Sequence, residues 1–304
     1  MLPRRILHMA ERVEVLKTYK IYINGAFPRT ESGRYYVPKN AKGVSLGNVC
    51  LSSRKDVRNA VTAARKAQES WAGRSAYNNS QILYRIAENL ESRKAEFTEL
   101  VVKEEFVSSA KAKAKVEAAI DRLIYFAGWS DKFLQLSSSV NPVASSHFNF
   151  SMAEATGVIS AICGEGVLFE GLVSAIATII CGGNTVVILA NENAPLSAIS
   201  FAEVLQHSDV PAGVVNILTG KKEELESHLS SHMDVNALLL MGYDRTNALE
   251  LEQLATANLK RVRSWSTEKV NSTAVENPYS IQDFLETKTT WHPVEQIGGA
   301  AAGY

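Results

Sequence analysis

The chain has no surplus of either charge. Its 32 Lys and Arg residues balance 32 Asp and Glu residues over 304 positions, a formal net charge of zero. Nucleic-acid and membrane-surface proteins usually carry a basic excess, so neither partner is expected. Cysteine is scarce as well. Cys50, Cys163 and Cys181 are widely spaced and form no CxxC. An odd count at such spacings argues against a disulfide framework and fits free thiols in a reducing compartment. No apolar run approaches the roughly 20 residues that a membrane-spanning helix needs. The opening MLPRRILHMAERVEVLK contains Glu11 and Glu14 and no long apolar core, which speaks against a secretory signal. The expected location is cytoplasmic. Also missing are the two phosphate-cradling fingerprints, GxGxxG after a strand and GxxxxGK[ST].

What is present is ordinary globular composition, 46% hydrophobic and 21% charged. YKIYINGAFPRTESGRYYVPKN alternates, is broken at Asn24-Gly25 and reads as a β-hairpin. Ser53 and Asp56 form a capping-box pattern, followed by Val57, Ala60, Val61, Ala64 and Trp71 at helical spacing. Further helix is expected over 80–93 and 96–135, with a break near Val107. SSSVNPVASSHFNFSM reads as an extended ribbon. From Gly157 the texture changes. Apolar runs at 158–163, 185–189, 214–218 and 237–240 alternate with helix-length segments at 168–181, 195–207, 222–229 and 245–257. That alternation predicts βαβ units and a parallel sheet. The expected class is therefore α/β, a Rossmann-like doubly wound parallel sheet with N-terminal helices and a β ribbon. Its expected parts are a hairpin and helices over 1–136, the ribbon over 137–156, the βαβ part over 157–270 and a final strand and tail over 271–304.

Candidate chemistry gathers where the first strand of the βαβ part empties into Gly164-Glu165-Gly166. Cys163 precedes a helix, a place that favours a reactive thiol, yet no His, Lys or Arg stands near it in sequence. It reads as a buried strand residue, and Glu165 as a solvated turn residue. His228 and His232, four apart, share a helix face if the helix continues that far, with Asp234 the one nearby third ligand. They read as an ordinary surface pair, so no metal is expected. The KAKAK run at 111–115 reads as a solvated helix face.

The order of the motifs resembles the aldehyde dehydrogenase superfamily. YINGAF, DVRNAVTAARKAQESWA and RLIYFAGWSDK resemble its N-terminal elements, and GGNTVVI, APLSAISFAEVL and PAGVVNILTG resemble its cofactor domain, a Rossmann variant without GxGxxG. KTYKIYINGAFPRTESGRYY is most similar to the start of the degenerate C-terminal half of family-16 aldehyde dehydrogenases.

The resemblance also marks departures. The family's Pro-Trp-Asn turn, whose Asn holds the substrate oxyanion, corresponds to Gly164, Glu165 and Gly166. The position of its general base corresponds to Trp265. Its Lys-Pro-x-Glu, whose lysine and glutamate bind the adenosine ribose, keeps only Glu192. Of the cofactor glycines Gly220 and Gly242 persist, with Tyr243 in place of a small serine. The catalytic domain expected after the fifth strand gives way to TKTTWHPVEQI, which resembles the oligomerisation strand.

Covalent catalysis needs nucleophile, base and oxyanion site together. The resemblance therefore implies a pseudoenzyme with no catalytic residues, Gly166 and Trp265 being degenerate positions. Its expected role is an oligomerisation or regulatory scaffold. It would pair through Phe148–Met152 and Thr287–Val294, as a homodimer or with an active aldehyde dehydrogenase. No resident cofactor is expected, with NAD or NADP in question through Glu192, Gly220 and Gly242. The alternatives are an NAD(P)-dependent aldehyde oxidoreductase subunit and a dinucleotide-binding module without chemistry.

Overall fold

A computed structural model describes residues 17–40 and 42–294. The N-terminal strands β1 (Thr18–Tyr19), β2 (Tyr35–Tyr36) and β3 (Asn48–Cys50) form a small sheet in the order β1-β3-β2. The expected turn exists: Asn24 and Gly25 have φ of 54° and 72°, and Ile23 and Ala26 exchange backbone hydrogen bonds. The hairpin does not continue beyond that bridge. Tyr22 instead trades hydrogen bonds with Ile217, so the segment is spent on the main sheet.

Helix α1 (Arg54–Ala72) starts where the capping pattern predicts, with the Asp56 carboxylate accepting from the Ser53 amide at 2.8 Å. Then come α2 (Ala76–Ser92), α3 (Lys94–Glu105), α4 (Ser109–Trp129) and α5 (Phe133–Ser137). The expected break falls at Phe106, which has a left-handed φ of 53°. Strands β4 (Ser139–Asn141) and β5 (His147–Ala155) follow.

The remainder alternates strand and helix: β6 (Val158–Cys163), α6 (Phe169–Cys181), β7 (Thr185–Leu189), α7 (Pro195–Gln206), β8 (Val215–Leu218), α8 (Lys222–Ser231), β9 (Ala237–Met241), α9 (Arg245–Ala255) and β10 (Arg261–Trp265). These strands form one parallel sheet in the order β10-β9-β6-β7-β8. The chain winds outward both ways from β6, so the topological switch point lies between β6 and β9. Alternate residues serve opposite faces. Ile159, Ala161, Val186, Ile188 and Leu239 join the core under α2, α4, α6 and α7. Val158, Ile162, Val187 and Leu240 join the core with Val57 and Val61 of α1, Leu225 of α8 and Leu251 of α9. Burial on both faces explains the unbroken apolar runs.

After β10 come α10 (Thr267–Val270), α11 (Pro278–Gln282) and β11 (Leu285–Pro293). Strand β11 pairs antiparallel with β5 along its whole length, from Leu285↔Ala155 to Pro293↔His147, in a sheet ordered β11-β5-β4. The two segments expected to meet another subunit therefore pair first with each other. Among the described residues no helix is long and apolar enough to cross a membrane.

Candidate functional site at the switch point

In a doubly wound sheet the ligand crevice opens at the carboxyl ends of the strands beside the switch point. Here that place is the turn Gly164-Glu165-Gly166 after β6 and the turn Gly242-Tyr243 after β9. The two turns are stitched together. The Gly164 amide donates to the Met241 carbonyl at 2.8 Å, the Glu165 amide to Gly242 at 3.2 Å, and the Gly242 amide to Trp265 at 3.0 Å. The contact is close enough to require glycine. A Cβ on Gly164 would lie 2.5 Å from the Met241 oxygen, and one on Gly242 2.4 Å from the Glu165 oxygen.

The turn's carbonyls are spent as well. Gly164 accepts from Asn191 Nδ2 at 2.6 Å, Glu165 from Thr267 Oγ1 at 2.9 Å and Gly166 from Asn271 Nδ2 at 2.9 Å. Two of those donors belong to the connector between β10 and β11. Arg122 of α4 anchors that connector. Its guanidinium, 1% exposed, donates to the carbonyls of Val270 at 2.9 Å and Ser272 at 3.0 Å, and pairs with Glu170 Oε1 at 2.6 Å. Nothing in a single sequence marked Arg122, because its partners lie on other elements.

The side chains read from sequence fall as follows. Cys163 is buried, and burial pushes its thiol up to about 12. Such a thiol stays protonated at neutral pH and is a poor nucleophile. Glu165 is exposed. Gly166 has φ of 69°, and the space beside it is taken by Thr267. Trp265 is buried, donates Nε1–H to Asp283 Oδ2 at 2.9 Å, and packs on Phe284 with ring centroids 5.7 Å apart. An indole there offers no proton acceptor.

Tyr243 is half-buried beside Gly164, its hydroxyl donating to Glu226 Oε2 at 2.7 Å. Burial first, and then the Glu226 carboxylate, hold that hydroxyl far above the ordinary tyrosine range. Glu192, Gly220 and Gly242 stand just beyond the carboxyl ends of β7, β8 and β9. Glu192 is exposed. Gly220 is buried, and a Cβ there would lie 3.1 Å from Leu225 Cδ1 and 3.3 Å from the Ser52 amide. His228 and His232 flank the end of α8. Among the described residues no three His, Cys, Asp or Glu side chains gather as a metal site.

Comparison with known proteins matches residues 27–265 to the Aldehyde dehydrogenase family. The chain belongs to that family. It is similar to the D-glyceraldehyde dehydrogenase (NADP(+)) of Thermoplasma acidophilum, 29% identical over 251 residues, which span 80% of this chain and 49% of that protein. It is also similar to the cytosolic 10-formyltetrahydrofolate dehydrogenase of Xenopus tropicalis, 29% identical over 249 residues, 80% of this chain and 28% of that protein. Among solved structures, the NAD+ complex of an aldehyde dehydrogenase from Bacillus cereus superposes with a TM-score of 0.78 at 23% identity, covering 82% of this chain and 51% of that one. The chain thus spans about half or less of the length of these relatives. The family match ends at Trp265, the last residue of β10.

Proposed function

We propose that the chain is a non-catalytic aldehyde-dehydrogenase-type scaffold that works in the cytoplasm by assembly, with a second copy or with an active member of its family. The observation that carries this reading is the connector. Thr267 and Asn271 hydrogen-bond the turn at which the resemblance places the oxyanion donor, and Arg122 locks the connector down. Aldehyde oxidation through a covalent intermediate needs an activated nucleophile, a base and an oxyanion donor in one place. Cys163 is an unactivated buried thiol, Gly166 has no side chain to donate, and Trp265 cannot take a proton.

Assembly would use the ribbon. Strand β5 is interior, paired on both sides by β11 and β4, so a partner strand would add to the outer edge of β11. One face of this sheet is apolar: Val140, Phe148, Phe150 and Met152 line a shallow concavity of about 360 Å³. Size measurement on the purified chain tests the reading, since substitutions on β11 that lower the assembled fraction without unfolding the chain support it.

A second reading, a dinucleotide-binding module without chemistry, draws on Glu192, Gly220 and Gly242 standing at one edge of the sheet. Calorimetry with NAD+ and NADP+ separates the two. No heat at millimolar cofactor removes this second reading, and saturable heat favours it.

A further inference from the structure

Two basic pairs that the switch point leaves unused face each other across a groove between α1 and α8. Arg54 and Arg58 stand four apart at the start of α1, while His228 lies in the last turn of α8 and His232 just beyond its end in extended conformation. With Lys55 they line a concavity of about 710 Å³. No carboxylate lines it. The acidic groups near it are engaged or peripheral. Glu31 pairs with Lys55 at 2.5 Å, and Asp56 turns inward onto the Ser53 amide and hydroxyl, each at 2.8 Å. Asp234, beside His232, is exposed.

Several arginines are spent on carboxylates, Arg34 on Glu224, Arg93 on Glu96 and Glu203, Arg245 on Glu252, while Arg65 bonds the Asp234 carbonyl and Asn236. What distinguishes Arg54 and Arg58 is that they line one concavity together. Among the described residues the guanidinium groups of Arg54 and Arg58 have neither an ion pair nor a hydrogen bond, and no pair is needed to hold α1, which Asp56 already caps. A local cationic concavity in a chain of zero net charge points to one compact anion, since a polyanion would call for an extended basic stripe. The volume falls within the range of small-molecule sites. Guanidinium groups match phosphate oxygens two at a time, and imidazoles supply further donors.

We propose that the α1–α8 groove binds the phosphate group of a small soluble organic phosphate. Arg54 and Arg58 grip the phosphate from one wall; from the other His228 donates, and so does Nε2 of His232, whose Nδ1 accepts from the Asp234 amide at 3.2 Å. The site is separate from the stitched turns at the switch point and does not depend on the scaffold reading.

The test is calorimetric titration of the full chain with inorganic pyrophosphate. The variants are Arg54→Gln with Arg58→Gln, His228→Gln with His232→Gln, and Lys66→Gln as a control on α1 outside the groove. Thermal melts establish that each variant is folded. A parallel arm measures co-sedimentation with phosphatidic-acid vesicles. Saturable binding is expected, weakened about tenfold or more by either double substitution, because each removes charge-assisted hydrogen bonds, and left unchanged by Lys66→Gln. Absence of saturable binding at millimolar pyrophosphate would overturn the proposal. Equal weakening by Lys66→Gln would reduce it to diffuse charge and overturn it too, as would binding to the vesicles alone.

Discussion

Thr267 fills the place that a side chain on Gly166 would need. A Cβ built on Gly166 would lie 2.9 Å from Thr267 Cγ2, and Thr267 Oγ1 is already committed to the Glu165 carbonyl at 2.9 Å. The connector has thus closed over the position at which the resemblance sets the oxyanion donor.

Restoring the family's asparagine is therefore not expected to restore chemistry. Gly166→Asn tolerates the positive φ of 69° better than most residues would. Its side chain must still displace Thr267, at a cost of about 1–3 kcal/mol. Chemical denaturation should show this loss, with no aldehyde-dependent reduction of NAD+. Adding Thr267→Ala should recover part of the stability, because the two positions touch.

Arg122 should be among the most sensitive positions in the chain. It bonds α6 and the connector at once while 1% exposed. Removing one partner of a buried pair typically costs about 3–5 kcal/mol. Arg122→Ala should lower stability accordingly and expose the connector to limited proteolysis between Ser266 and Asn277. Lys288→Ala, which breaks an exposed pair with Glu154, should cost at most about 1 kcal/mol. Cleavage kinetics identical to wild type in folded Arg122→Ala would refute the anchoring role.

The three thiols should be inert in the native state. All are buried, and burial pushes Cys163 and Cys181 up to about 12. Intact-mass measurement after iodoacetamide treatment at neutral pH should find no adduct on the folded chain and three on the unfolded chain. Rapid alkylation of Cys163 in the native state would reopen the question of a nucleophile.

The Glu104 contribution to stability should fall as pH rises from about 4.5 to 8. The Glu104 carboxyl is buried at the start of α7, and although it accepts from the Ser197 amide at 3.1 Å, burial dominates and pushes it up to about 8. Between the unfolded value and the folded one, the native state binds the extra proton. The stabilisation is thus complete below about 4.5 and is lost as pH rises through about 8. Urea denaturation across this range should show wild type losing stability relative to Glu104→Gln as pH rises.

Much of the fold was legible because β6, β7 and β9 are buried on both faces and so appear as unbroken apolar runs. Strand β10 did not appear that way. It is an edge strand reading Arg-Val-Arg-Ser-Trp, and only Trp265 is buried, so it carries no run and was placed by resemblance. The hairpin at Asn24-Gly25 showed its turn chemistry but not its partner, because Tyr22 bonds to a residue nearly two hundred positions away. At the switch point, the resemblance set the family's oxyanion donor and base at Gly166 and Trp265. What replaced them stayed hidden, since Thr267, Asn271 and Arg122 act through contacts made only after folding. Tyr243 is the intermediate case. Its replacement of a small serine was visible by resemblance, and its bond to Glu226 could not be read.

The most direct test is native mass spectrometry of the purified chain incubated with NAD+ and then buffer-exchanged, beside an assay for NADH formation with a panel of aldehydes. No retained nucleotide and no NADH are expected, with multiples of the chain mass where the partner is a second copy. A monomer at micromolar concentration would remove assembly with a second copy, and a chain that keeps NAD+ and reduces it when an aldehyde is added would contradict the non-catalytic reading itself.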